Sequence, residues 1–194
     1  MGGASVRRTG GTSGLVVLGH GAGGGTDAPD LQAAAAAAAS LGFAVALVEQ
    51  PWRVAGRRVA EAPARLDAAW TAVVAQLERP PGPLVVGGRS AGARVACRTA
   101  AATGADAVLA LAFPLVAPSG RSRAHELALP EVPRLVVQGS RDAFGVPEAA
   151  PGTQVHVVEG ADHAFAVRRK DGRTPEDVAA TSAAVQRWLA QTVT

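Results

Sequence analysis

A chain of 194 residues with 48% hydrophobic and 18% charged residues has the content of one folded domain, and its composition excludes a wholly disordered chain. Its single cysteine, Cys97, excludes an intramolecular disulfide and any zinc or iron–sulfur site built on thiolate spacing. The formal net charge of +3 is carried almost wholly by arginine, Lys170 being the sole lysine; without interleaved aromatics to stack on bases, no nucleic-acid partner is expected.

Residues 1–14 are rich in Gly, Ser and Thr and contain Arg7 and Arg8. They lack the apolar core of a signal peptide and read as a flexible lead-in to a domain over 15–194. No apolar run approaches a membrane span, so neither a membrane association nor an export route is expected and the reading is cytoplasmic.

The apolar run 15–18 reads as a first strand, closed by a glycine loop over 19–25. Asp27 or Asp30 then caps a helix that runs through Leu41 and stops at Gly42. A second strand covers 43–48. Over 64–78, Leu66, Trp70, Val73, Val74 and Leu77 fall on one helical face, and Pro80, Pro81 and Pro83 end that helix. A third strand, 84–87, runs into Gly88-Arg89-Ser90-Ala91-Gly92 and a helix ending at Gly104. Strands over 107–112, 134–138 and 154–158 follow, with one short helix around 122–129. Thr174 caps the last helix, with Pro175 in its first turn and Val178, Val185, Trp188 and Leu189 on its buried stripe.

Uninterrupted apolar strands between amphipathic helices predict an α/β fold: a doubly wound, mostly parallel, six-stranded sheet with helices on both faces. The segment 113–132 leaves no room for a large cap.

The strongest chemical signal is Gly88-Arg89-Ser90-Ala91-Gly92 between a strand and a helix. Glycines two residues either side of a serine permit the sharp turn that lifts Oγ clear of the sheet, and the Ala91 N–H then faces a developing oxyanion. His20-Gly21-Ala22-Gly23-Gly24 follows the first strand; Ala22 is the expected second oxyanion donor, and Gly21 and Gly23 let backbone approach a substrate. Asp142, after the fifth strand, and His163, after the sixth, place an acid and a base at the same sheet edge. The order Ser, Asp, His, each beyond its own strand, predicts Ser90 as nucleophile, His163 as base and Asp142 as orienting acid. Trp52, Arg53, Arg89 and Arg141 are expected to line the crevice beyond the strand ends.

Two other readings compete. Gly19-x-Gly21-x-x-Gly24 with Glu49 matches a dinucleotide fingerprint in outline, but Gly25, Thr26, Asp27 and Pro29 intervene where the third glycine should open a helix. A non-catalytic interaction protein would have no use for Asp142 and His163 in register with Ser90. Cys97, two helical turns beyond Ser90, reads as a small core residue, and His20 and His156 as structural.

The blocks 15–24, 88–94, 137–144 and 160–165 resemble those of minimal α/β-hydrolases, distantly similar to dienelactone hydrolases. The closer resemblance is to bacterial relatives of the testis-expressed hydrolase-like proteins and to the hydrolase-like domain of a histone acetyltransferase complex subunit. It covers nearly the whole chain from Leu15 and implies the roles given above for Ser90, Asp142 and His163; the short 113–132 segment predicts an open, shallow site for small acyl groups, and no cofactor and no metal is expected. Dienelactone hydrolases carry cysteine where this chain has Ser90, so their particular reaction is not implied.

Overall fold

The computed structural model describes residues 3–57, 61–167 and 175–193. In chain order the elements are β1 (Ser5–Thr9), β2 (Leu15–Gly19), α1 (Pro29–Ser40), β3 (Ala44–Glu49), α2 (Pro51–Val54), α3 (Pro63–Gln76) and β4 (Leu84–Arg89). These are followed by α4 (Ala91–Thr103), β5 (Ala107–Leu111), α5 (Ala124–Ala128), β6 (Arg134–Gly139), β7 (Thr153–Val158) and α6 (Pro175–Thr192). The sheet runs β1-β3-β2-β4-β5-β6-β7, with every pair parallel except β1 with β3.

Among the described residues the sheet therefore has seven strands where the sequence predicts six. The seventh is β1, inside the segment read as a flexible lead-in. It pairs antiparallel along the outer edge of β3, from Ser5 opposite Glu49 to Thr9 opposite Val45. This pairing satisfies backbone groups that an open edge would leave to solvent. Arg7 hydrogen bonds to Thr26, and Arg8 reaches Glu78. All five β1 residues are exposed, so the strand carries no apolar alternation for a sequence reading to find.

Successive strand residues feed two cores, one on each face of the sheet. Val16 and Leu18 join α1 and α6 through Leu31, Ala34, Ala38, Val185, Trp188 and Leu189. Leu15 and Val17 join α3 and α4 through Leu66, Trp70, Val74, Ala93 and Ala96. Each fully buried large side chain contributes about 2–3 kcal/mol of transfer free energy. The alanine face of α1 keeps that helix close against α6.

Neither Asp27 nor Asp30 caps α1. The N-cap is Ala28, Pro29 fills the first turn, and the Asp30 carboxylate is instead drawn to Arg89. Thr174, the expected cap of α6, lies outside the described residues. Helix α4 ends at Gly104, whose φ of +62° permits the left-handed cap.

The connection between β5 and β6 carries only the five-residue α5. Arg94 and Arg98 of α4 both donate to Glu126 of α5, while Arg98 also grips Asp67 of α3. Against the cost of its burial, the two guanidinium groups hold the Glu126 carboxyl below its ordinary pKa. This short segment is thus clamped to the domain. Among the described residues no helix is long and apolar enough to cross a membrane.

Candidate active site

Ser90 stands between β4 and α4 with φ +51° and ψ −106°. For a side chain bearing a Cβ this region costs about 1–3 kcal/mol, and it persists only where the surroundings fix it. Here the Ser90 N–H donates to the Leu111 carbonyl at 2.9 Å, and the Ser90 carbonyl accepts the first helical bond from Arg94 at 3.1 Å. A Cβ on Gly92 would lie 2.6 Å from the Gly19 carbonyl carbon and 2.9 Å from the His20 oxygen. A Cβ on Gly88 would press on the same Gly19 peptide. The glycine spacing exists because the turn packs directly on the end of β2.

His163 Nε2 lies 3.0 Å from Ser90 Oγ, and Nδ1 lies 2.7 Å from Asp142 Oδ2. An ionised carboxylate only accepts, so Nδ1 carries the proton and Nε2 is left to accept from the serine hydroxyl. The Asp142 side chain is fully buried, whereas that of His163 is 24% exposed. Phe144 packs edge-on against the imidazole, with centroids 4.6 Å apart, and its N–H donates to Asp142 Oδ1 at 2.9 Å.

The loops carrying acid and base are joined to each other. Ser140 N–H donates to the Val158 carbonyl, Arg141 N–H to that of Ala161, and Gly160 N–H to Ser140 Oγ. Asp162, which the sequence presents beside His163, is not the orienter. Its Oδ1 accepts from Ala164 and Ala166 N–H and folds the histidine loop into a turn.

Sequence reasoning missed Gln138. This fully buried amide donates from Nε2 to Asp142 Oδ2 at 2.7 Å, and also to the Gly145 and Phe113 carbonyls. All three partners are acceptors, which fixes the orientation of the amide. The available signal was an amide closing the apolar run 135–137 near the end of β6.

Gly21 abuts the nucleophile: a Cβ there would lie 3.4 Å from Ser90 Cβ. Ala22 and Gly23 are exposed beside it. Ala91 opens α4, so its N–H has no partner within the helix. The glycine loop is anchored by His20, which is fully buried. His20 Nε2 accepts from Gln50 N–H at 3.0 Å, Nδ1–H donates to the Gly21 carbonyl at 2.8 Å, and Trp52 packs edge-on at 5.2 Å.

Burial holds the His20 imidazole below its ordinary pKa of 6.5. The unfolded chain therefore takes up a proton first as pH falls below that value. The stability contributed by the neutral ring is complete above pH 6.5 and is lost progressively under it. Thermal unfolding followed between about pH 7 and 5 is expected to show a falling midpoint, with a shallower slope in His20→Gln. His156, also held low by burial and by Arg187, contributes equally to both slopes.

Two residues expected to line the crevice do not. Trp52 is fully buried in the core against His20, because the turn of α2 directs its ring inward. The Arg89 side chain is only 14% exposed, with Nε 3.1 Å from Asp30 and Nη2 donating to the His163 carbonyl. Arg141 is exposed in the loop after β6. Arg53, beside Trp52, pairs with Glu49. Cys97 is buried, and burial pushes its thiol up to about 12, which leaves no thiolate at neutral pH.

Gly19 and Gly21 are occupied in packing against Gly92 and Ser90, and α1 begins only at Pro29. The helix N-terminus that a dinucleotide pyrophosphate needs is therefore not at the third glycine. Among the described residues no group of His, Cys, Asp and Glu is arranged to hold a metal ion.

The comparison with solved structures supports the same architecture. A serine hydrolase homologue from Coxiella burnetii superposes with a TM-score of 0.72 at 18% identity, over 96% of this chain and 90% of its own. A serine hydrolase without lid from Xanthomonas campestris gives 0.70 at 19% identity, over 97% and 88%. A dienelactone hydrolase from Anabaena variabilis gives 0.68 at 18% identity, over 98% and 93%. At these identities the likeness is one of fold. No curated protein matches this chain in sequence. The family model described as alpha/beta hydrolase domain matches residues 12–190, nearly the full length, and the chain belongs to that family.

Proposed function

We propose that this protein is a serine hydrolase that cleaves small carboxylic esters or thioesters through an acyl-enzyme on Ser90. The observation that carries the reading is the continuous hydrogen-bonded path from Ser90 Oγ through His163 to the buried Asp142.

In this mechanism Ser90 Oγ attacks the substrate carbonyl carbon while its proton passes to His163 Nε2. The tetrahedral oxyanion accepts from the N–H groups of Ala91 and Ala22. Collapse breaks the bond to the leaving alcohol or thiol, which takes the proton back from Nε2. Water then attacks the acyl-Ser90 ester with His163 again as base, releasing the carboxylic acid and restoring the hydroxyl. Asp142 fixes the tautomer and stabilises the imidazolium, and Gln138 and Phe144 N–H hold its carboxylate in place.

The five-residue α5, clamped to α4, supports a preference for short acyl groups, because among the described residues the β5–β6 connection carries no larger element to enclose a long chain. The test is fluorophosphonate labelling with intact mass, followed by p-nitrophenyl acetate against p-nitrophenyl palmitate. One phosphonyl adduct and faster acetate cleavage are expected. A folded protein that takes no adduct has an unactivated serine and a binding role; preferential palmitate cleavage overturns the open site.

A further inference from the structure

We infer that Arg89, with Asp30 as its counter-charge, is a positioning residue that holds the His163 loop over the nucleophile. The inference rests on the reading of His163 as the general base.

Strands β4 and β7 are not neighbours; β5 and β6 lie between them. At about 4.8 Å per strand, the loop after β7 must reach back roughly 14 Å to bring its imidazole to Ser90. Its bonds to Ser140 and Arg141 secure it on the β6 side. Asp162 and the bridge between Ala161 and Val167 fold it upon itself. Arg89 ties it to the strand that carries the nucleophile.

Arg89 is the last residue of β4, adjacent to Ser90. Its Nη2 donates to the His163 backbone carbonyl at 2.9 Å. Its Nε lies 3.1 Å from Asp30 Oδ2 in the first turn of α1, where the carboxylate side chain is 4% exposed. Its Nη1 faces Gly21, where a Cβ would come within 3.1 Å. One guanidinium thus spans the nucleophile turn, the glycine loop, α1 and the base. Nη2 hydrogen bonds to the His163 carbonyl while Nε pairs by charge with Asp30, two placements that a lysine ammonium at this position cannot reproduce with the same geometry. Asp30 compensates a charge that burial would otherwise make costly. With Nη2 on the His163 carbonyl and Nε against Asp30, Arg89 acts through His163 and not on substrate.

The test compares fluorophosphonate labelling rates of wild type, Arg89→Ala and Arg89→Lys, each checked by thermal unfolding. A displacement of about 1 Å costs on the order of 100-fold, so Arg89→Ala is expected to label 10- to 100-fold more slowly. Millimolar guanidinium is expected to restore part of that loss, and Arg89→Lys to fall between the two. A second readout needs no catalysis: the downfield His163 Nδ1–H resonance is expected to be sharp in wild type and broadened in Arg89→Ala. An alanine variant with wild-type labelling and a sharp resonance overturns the inference, as does a loss that neither guanidinium nor lysine relieves. A wild type that does not label overturns the hydrolase reading instead, and the resonance then still decides whether Arg89 positions the ring.

Discussion

Replacing Ser90 by alanine is expected to remove turnover of short acyl esters by a factor of about 10⁴ or more, and His163→Ala by a similar amount. Without Oγ no acyl-enzyme forms; without Nε2 the hydroxyl keeps its proton and attacks poorly. Because the two groups act as one unit, the double variant is expected to lose little beyond either single one. Additive losses would mean that serine and histidine act separately. Both side chains are only partly buried, so neither change opens a core cavity, and unfolding midpoints should stay close to wild type. The measurement is kcat/KM for p-nitrophenyl acetate on variants shown to be folded, with Ser90→Ala also tested for the phosphonyl adduct. Retained turnover in Ser90→Ala would move the reaction to another residue. Cys97 would be a poor replacement, since burial pushes its thiol up to about 12.

What the sequence disclosed about this site follows from how local each requirement is. Ser90 was legible because its turn demands glycine at 88 and 92, and the strand and helix around it announce themselves in apolar spacing. Asp142 and His163 were legible because each follows a strand by a few residues, and a parallel sheet delivers all its strand ends to one edge. Gln138 was not, because its purpose is a tertiary relation to Asp142, Gly145 and Phe113 that no spacing expresses. Trp52 and Arg89 were placed at the right edge but given the wrong direction. Position at or just after a strand end states which sheet edge a residue occupies, whereas His20, Asp30 and the His163 carbonyl decided where these two point. Strand β1 failed for a different reason: an edge strand exposed along its length has no buried face to pattern.

The same local logic sets the sign of a change at Gly92. Helix propensity alone favours Gly92→Ala by about 1 kcal/mol, since Gly92 lies in the first turn of α4. The added methyl would meet the Gly19 carbonyl carbon at 2.6 Å and the His20 oxygen at 2.9 Å, and would press harder still on the Gly19 oxygen. These are backbone atoms at the end of a central strand, flanked by β3 and β4, so no rotamer change relieves the collision. Overpacking of this kind costs about 1–3 kcal/mol and more where backbone must move. The collision therefore outweighs propensity, and a net loss of about 2 kcal/mol or more is expected. For a domain of this size that lowers the unfolding midpoint by roughly 4–8 °C. Activity should fall further than stability, because the displaced peptide leads directly into His20, Gly21 and the glycine loop against Ser90. Gly23→Ala supplies the contrast: a Cβ there meets nothing within 4 Å, and its φ lies outside the left-handed range. It is expected to leave the midpoint within about 2 °C of wild type. A Gly92→Ala variant as stable as Gly23→Ala and as active as wild type would mean that the elbow does not bear on β2, and that the Gly-x-Ser-x-Gly spacing here serves the turn alone.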